Sequence, residues 1–291
     1  MKKLTVLLLS FGISLSLLSQ DLKTEFQKLA KNTNGIPYGN NKAAGKFYNI
    51  RGFKMYTETY GAGKPLLIIH GNGGSIGDFI GQIPYFSKKY KVIVAESRAQ
   101  GKSTDAGDSL SYEMMADDYA ALLEAMKIDS ALVIGWSDGG INGLLLAIRH
   151  PEKVKKLAIT GANLWPDTSA VEAEVVQMIT PQYTSLKAKA NKTAIEKAGW
   201  KLMRLLVEEP HIALSSLETI QVPALVIGGD HDVIKPAHTL LIAEHIPNSY
   251  LWLLPNSGHS TPLMYWEDFN RTIDKFFQQP FRKIKGEARF F

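Results

Sequence analysis

The stretch Ala131–Ile141, ALVIGWSDGGI, decides how the rest of this chain is read. An apolar run of strand length, Ala131 to Gly135, stops at Gly-Trp-Ser-Asp-Gly, and Gly139 to Arg149 then repeats apolar residues at helical three- and four-residue spacing. Glycines on both sides of Ser137 permit a sharp strand-to-helix turn that exposes its hydroxyl, and the helix start directs main-chain N–H groups toward it. A Gly-x-Ser-x-Gly match alone is also met in plain glycine-rich turns. The strand before it and the helix after it set this one apart.

The same alternation continues outward. Strands are expected near 47–50, 54–60, 65–70, 91–96, 131–135, 156–160, 224–228 and 250–254, the first two forming an antiparallel hairpin around Gly52. Helices are expected near 76–89, 112–126, 139–149, 237–245 and 262–278. Strands joined by helical crossovers give an α/β class with parallel strands. The rhythm breaks between 165 and 220, where Ala, Lys, Glu and Leu dominate without a strand, so an inserted helical lid is expected. The core is then 46–164 plus 221–279. The arm at 21–45 contains NTNGIPYGNNKAAG, read as irregular, and 280–291 is a basic tail.

The chain has 291 residues, 45% of them hydrophobic, enough for a sizeable core. At 1–20, Lys2 and Lys3 precede an apolar run from Leu4 to Leu18, the order of a signal peptide, with an uncleaved anchor as the alternative. Export to the periplasm or medium is the expectation. Without cysteine the chain has no lipid-attachment site of the lipoprotein kind, disulfide or thiolate metal site. The net charge of +5 lies wholly in residues 1–20 and the tail, and 21–279 is neutral. A nucleic-acid partner is therefore not expected; membrane contact is left to the signal segment or the tail, where Arg282, Lys283, Lys285 and Arg289 outnumber Glu287.

A serine hydroxyl is a weak nucleophile at neutral pH and needs a base, and the base needs a carboxylate to orient it. PALVIGGDHDVIKP places Asp230 and Asp232 just after a strand, LLPNSGHSTP places His259 in a loop after the last strand, and Asp167 follows the strand at 156–160. The order Ser137, Asp232, His259 is one workable set, with Asp230 and Asp167 as rival acids. His70, His150, His211, His231, His238 and His245 are the other histidines; most read as packing or surface residues. Asp230, His231 and Asp232 could suggest metal ligands, but no second patch of properly spaced ligands accompanies them, so neither metal nor cofactor is expected.

These segments together resemble the α/β-hydrolase fold family over nearly the whole mature chain, residues 21 onward. LLIIHGNGGS is similar to the family's His-Gly loop after the third strand, and VIVAESRAQGKS to its Asp-x-Arg-Gly-x-Gly-x-Ser segment. Here Glu96 replaces the usual Asp and Ala99 the usual Gly. The resemblance implies a mostly parallel eight-stranded sheet flanked by helices, with a short helical lid after the sixth strand. It also implies Ser137 as nucleophile, His259 as base, Asp232 as acid, and the main-chain N–H groups of Asn72 and Asp138 as the oxyanion hole. IGWSDGG and TGANLWPD look most like the valacyclovir-hydrolase-like branch, which implies a small carboxylic ester, aminoacyl esters included. A peptidase acting on amino-terminal residues, a cofactor-free perhydrolase and a slowly acting binding module remain as alternatives. Trp165 and Trp200, with Met178, Tyr183 and Met203, are candidates to line an acyl pocket. The Asp138 side chain has two readings, a helix-start cap or a partner for a substrate ammonium.

Overall fold

A computed structural model describes residues 20–31 and 33–290. Apart from Gln20, the expected signal segment lies outside the described residues. One eight-stranded sheet runs in the order β1 (Gly45–Ile50), β2 (Phe53–Tyr60), β4 (Tyr90–Ala95), β3 (Lys64–Ile69), β5 (Ala131–Trp136), β6 (Val154–Thr160), β7 (Ala224–Gly229), β8 (Ser249–Leu254). Only β2 breaks the parallel sense, antiparallel to both β1 and β4. Arg51 and Gly52 link β1 to β2 with φ of 41° and 91°. Two successive positive φ values match the right-handed twist of a two-residue hairpin.

Strands in the middle of the sheet are Val-, Ile- and Leu-rich because both faces are covered, and their side chains divide alternately between two cores. Leu67, Ile69, Val133, Leu157 and Val226 pack on one face against α3 (Tyr112–Ala125), α4 (Asp138–Arg149) and α8 (Pro236–His245). Leu66, Ile68, Val94, Ile134 and Ile227 pack on the other against Phe79, Phe86 and α10 (Trp266–Gln278), which contributes Phe269, Ile273 and Phe277. After β3 the chain turns one way to β4, and β5 then pairs on the opposite side of β3. The carboxyl ends of β3 and β5 therefore flank a topological switch point, where α/β sheets open a crevice.

Two expected helices change. Residues 76–89 form not one helix but a 3₁₀ turn, Ile76–Phe79, and a single turn α2 (Ile83–Phe86). The apolar spacing is used, since Ile76, Phe79, Ile80, Ile83 and Phe86 are all buried. Pro84 has no N–H to carry a helix through from residue 80 and sits in the first turn of α2, and between the two turns Gly81 lies so near Leu29 that a Cβ would come within 2.8 Å of its Cδ2. The Asn- and Gly-rich part of the arm is irregular as expected, and before it Gln20–Lys31 is a helix, α1, whose Leu29 is fully buried. Residues 262–278 break at Tyr265 into α9 (Thr261–Met264) and α10. The tail begins docked, with Phe281 stacked on Tyr250 at 4.8 Å and the Arg282 N–H donating to the Tyr250 hydroxyl at 2.7 Å.

The interval 165–220 carries α5 (Ala173–Ala188), α6 (Ala194–Glu208) and the short α7 (Leu214–Leu217). Thr193 and Glu196 form a capping box at the start of α6. Ile179 and Tyr183 of α5 close against Met203 of α6. Lys201 of α6 is buried and donates to the Gly107 carbonyl at 2.7 Å, fastening the helix to the loop before α3.

Candidate active site

Ser137 occupies the tip of the turn from β5 to α4 with φ 57° and ψ −123°, a conformation that side-chain-bearing residues rarely adopt. Its neighbours explain why the flanking residues are glycine. A Cβ on Gly135 would stand 2.1 Å from the Gly139 carbonyl oxygen, and one on Gly139 would stand 2.0 Å from that of Ile69. The strand, the turn and the helix can approach this closely only without those side chains.

The imidazole of His259 faces the turn. Its Nε2 lies 2.9 Å from the Ser137 Oγ and its Nδ1 lies 2.6 Å from Asp232 Oδ1, which also accepts from the Ile234 N–H at 3.1 Å. The loop bearing His259 is fixed by the Trp136 indole N–H, which donates to the His259 carbonyl at 2.9 Å. Asp232 is 3% exposed. Burial pushes its carboxyl up, but the facing His259 charge, the bond from His259 and main-chain donors outweigh this and hold it below the ordinary range. Burial pulls His259 down; the Asp232 charge, the Asp232 hydrogen bond and the Asp138 charge more than offset that and leave it raised. Such a chain lets the imidazole take a hydroxyl proton while the carboxylate steadies the cation that results.

The rival residues have other partners. Asp230 bonds to His231 and accepts from the Asn256 and Ser257 N–H groups. Asp167 accepts from the Ser169 N–H at 2.8 Å. His150 meets Asp117, His238 accepts from the Leu164 N–H, and His245 donates to the Leu241 carbonyl. His70 is buried with Nε2 accepting from the Ser97 N–H at 2.9 Å. A main-chain N–H can only donate, so the proton is on Nδ1, which donates to the Gly71 carbonyl at 2.7 Å. Burial lowers this imidazole to about 4, against a smaller opposing effect of the Gly71 bond. His70 is thus a neutral brace for the loop that follows β3.

That loop abuts the serine. A Cβ on Gly71 would lie 3.1 Å from Ser137 Cβ and 3.6 Å from its Oγ. Among the described residues, neither the Asn72 nor the Asp138 main-chain N–H donates to any group. The Asp138 side chain does not cap α4: Asn72 Nδ2 donates to its Oδ2 at 2.9 Å, Tyr112 also hydrogen-bonds to it, and it is 3% exposed. Burial pushes its carboxyl up to about 6, with the Asn72 and Tyr112 bonds and the His259 charge opposing. Trp165 donates to Ser169 and meets His238 edge-on at 4.8 Å, while Trp200 joins the α5–α6 seam with Tyr183 and Met203. Neither shares a hydrogen bond or ring contact with Ser137 or His259 among the described residues.

Three features had no legible signal in the sequence: the Asn72 amide as a link to Asp138, Tyr112 beside it, and Gly161. The last has φ 63°, and a Cβ there would come within 2.7 Å of His259 Cε1 and 2.9 Å of its Nδ1. Gly161→Ala is expected to displace the imidazole and lower kcat by about 10²-fold, read from steady-state hydrolysis of a chromogenic ester. The electrostatics give a second expectation. A base must be neutral to accept a proton, so kcat/KM should fall as pH drops through a His259 pKa above the ordinary 6.5. Asp138→Asn removes one charge that raises it, and the acid limb should move to lower pH; a limb that stays put contradicts the coupling.

Comparison with known proteins gives a consistent picture. A family model described as alpha/beta hydrolase fold matches residues 64–193. The chain is 26% identical to "Serine hydrolase BPHL" of Mus musculus over 249 residues, 79% of this chain and 84% of the relative. It is likewise 26% identical to "Putative carbamate hydrolase RutD" of Caulobacter sp. (strain K31), over 80% of this chain and 97% of the relative. Among solved structures, the meta-cleavage product hydrolase of Pseudomonas fluorescens IP01 aligns with a TM-score of 0.68 at 20% identity, covering 81% of this chain and 98% of the other. Est816, described as an N-acyl homoserine lactone degrading enzyme, aligns with a TM-score of 0.65 at 25% identity, over 79% of this chain and all of the other. With its sheet order and its strained serine turn, the chain has the α/β-hydrolase fold and is similar to hydrolases of that family.

Proposed function

We propose that this chain is a serine hydrolase that cleaves small carboxylic esters through an acyl-enzyme on Ser137. The observation that carries the reading is the Ser137–His259–Asp232 chain, with links of 2.9 and 2.6 Å, set on a strained turn at the switch point of the sheet. His259 takes the Ser137 proton as the oxygen attacks the carbonyl carbon. The Asn72 and Asp138 main-chain N–H groups receive the developing oxyanion. His259⁺ then protonates the leaving alkoxide, and the acyl group stays on Ser137. Water attacks next, giving its proton to His259, and the acid departs as the proton returns to Ser137. The steps call for no metal or cofactor. In this account residues 1–20 direct export, so the substrate is met outside the cytoplasm.

The relatives' names include a carbamate hydrolase, which supports amide-like substrates as the second reading. A panel of p-nitrophenyl esters of rising acyl length, run beside aminoacyl esters and aminoacyl anilides, separates the two. Short acyl esters are expected to turn over fastest, and anilides outpacing esters would move the chain to the amidases. The same panel decides the Asp138 charge: faster turnover of an aminoacyl ester than of its deaminated counterpart would assign that carboxylate to a substrate ammonium. Equal rates would confine it to its bonds with Asn72 and Tyr112.

A further inference from the structure

The amide of Asn72 joins three parts of the molecule. Its Nδ2 donates to Asp138 Oδ2 at 2.9 Å, next to the serine turn, and to the Leu202 carbonyl at 3.1 Å, on lid helix α6. Both neighbours are oxygens and Asp138 is a carboxylate, so the amide can point its NH₂ group only this way. Its Oδ1 is left buried without a partner among the described residues. An orientation that strands a buried acceptor is maintained by the two bonds on the other end.

Helix α6 is held in turn by the loop before α3. Lys201, adjacent to Leu202, donates to the Gly107 carbonyl at 2.7 Å and lies 3.8 Å from Asp105, and Arg204 donates to the Leu110 carbonyl. The next residue of the His-Gly loop has its own tie, with the Gly73 N–H donating to Gln100 Oε1 at 2.7 Å. Asn72 is therefore the position at which the seating of α6 reaches the loop beside Ser137.

We propose that the Asn72 side chain is a positioning group that couples the seating of lid helix α6 to the placement of the Asn72 main-chain N–H opposite Ser137. This rests on the Ser137 acyl-enzyme reading. The side chain does not touch the reacting atoms; it sets where the N–H points. Asp138 takes part as the acceptor that fixes the amide, and Tyr112 and His259 are the titratable groups facing that carboxylate.

The test is a double-mutant cycle on a small p-nitrophenyl ester, with active sites counted by fluorophosphonate labelling. Asn72→Ala should lower kcat by roughly ten- to a hundredfold with KM within about twofold, because a misplaced oxyanion donor costs the transition state and not ground-state binding. Lys201→Met should lower kcat in the wild-type background and have no further effect in Asn72→Ala. Arg204→Gln serves the same purpose if Lys201→Met does not fold. Multiplying effects, or an Asn72→Ala variant that loses only thermal stability at unchanged kcat, would overturn the proposal. Failure of the wild type to label at Ser137 would instead remove the acyl-enzyme reading on which it stands.

Discussion

Ser137→Ala is expected to lower kcat toward small esters by on the order of 10⁵- to 10⁶-fold, with the folded state retained. The size follows from what the oxygen does. Without it no acyl-enzyme forms, and only water attack on a carbonyl held by main-chain donors remains. Retention of fold follows from the local structure. The Ser137 main chain is bonded to the Thr160 carbonyl at 2.9 Å and receives the first bonds of α4 from Gly140 and Ile141, none of which involves Oγ. The strained φ of 57° is imposed by the surrounding strand and helix, so alanine inherits it. A variant with unchanged thermal midpoint and only a few-fold loss of kcat would place the nucleophile elsewhere.

Asp232→Asn should cost about 10⁴-fold in kcat, with little change in the position of the side chain. As a carboxylate, Asp232 can only accept, so it holds the His259 proton on Nδ1 and leaves Nε2 free to receive from Ser137. Asparagine can present its NH₂ group to Nδ1 instead. The proton then moves to Nε2, and the imidazole faces the serine as a donor. Asp230→Asn is the control. Its carboxylate is 40% exposed and bonded to His231 and to the Asn256 and Ser257 N–H groups, so the effect on kcat should stay within a few-fold. Equal losses from the two substitutions would contradict the assignment of the acid.

The strands that place these residues were legible because each is an apolar run bounded by a turn. Those near 131–135 and 224–228 lie within a residue or so of the observed β5 and β7. The motif positions carried further than local propensity. Ala99 takes a φ of 63°, a left-handed conformation that suits the glycine of the motif this segment resembles. Glu96, one carbon longer than the usual Asp, occupies the space that Gly101 leaves open, since a Cβ there would stand 2.4 Å from its carboxyl carbon.

Other features depend on contacts between distant segments, and no local pattern encodes them. The seat of Leu29 against Gly81, some fifty residues away in the chain, is one of them. Gly161 is a glycine because His259 and Asp232 meet above it. The Asp138 carboxylate looked like a helix-start cap because of its position, yet its partners, Asn72 and Tyr112, come from a loop after β3 and from α3. A buried carboxylate with two donors is a tertiary arrangement, and only the folded chain displays it.

In the proposed mechanism Ser137 is a nucleophile activated by His259. Intact-mass spectrometry of the folded chain after brief exposure to a fluorophosphonate tests it most directly, with peptide mapping of the product. One adduct on Ser137, absent from Ser137→Ala and strongly slowed in His259→Ala, is the predicted result. A wild-type chain that hydrolyses esters yet carries no adduct on Ser137, or carries it on another residue, would contradict it.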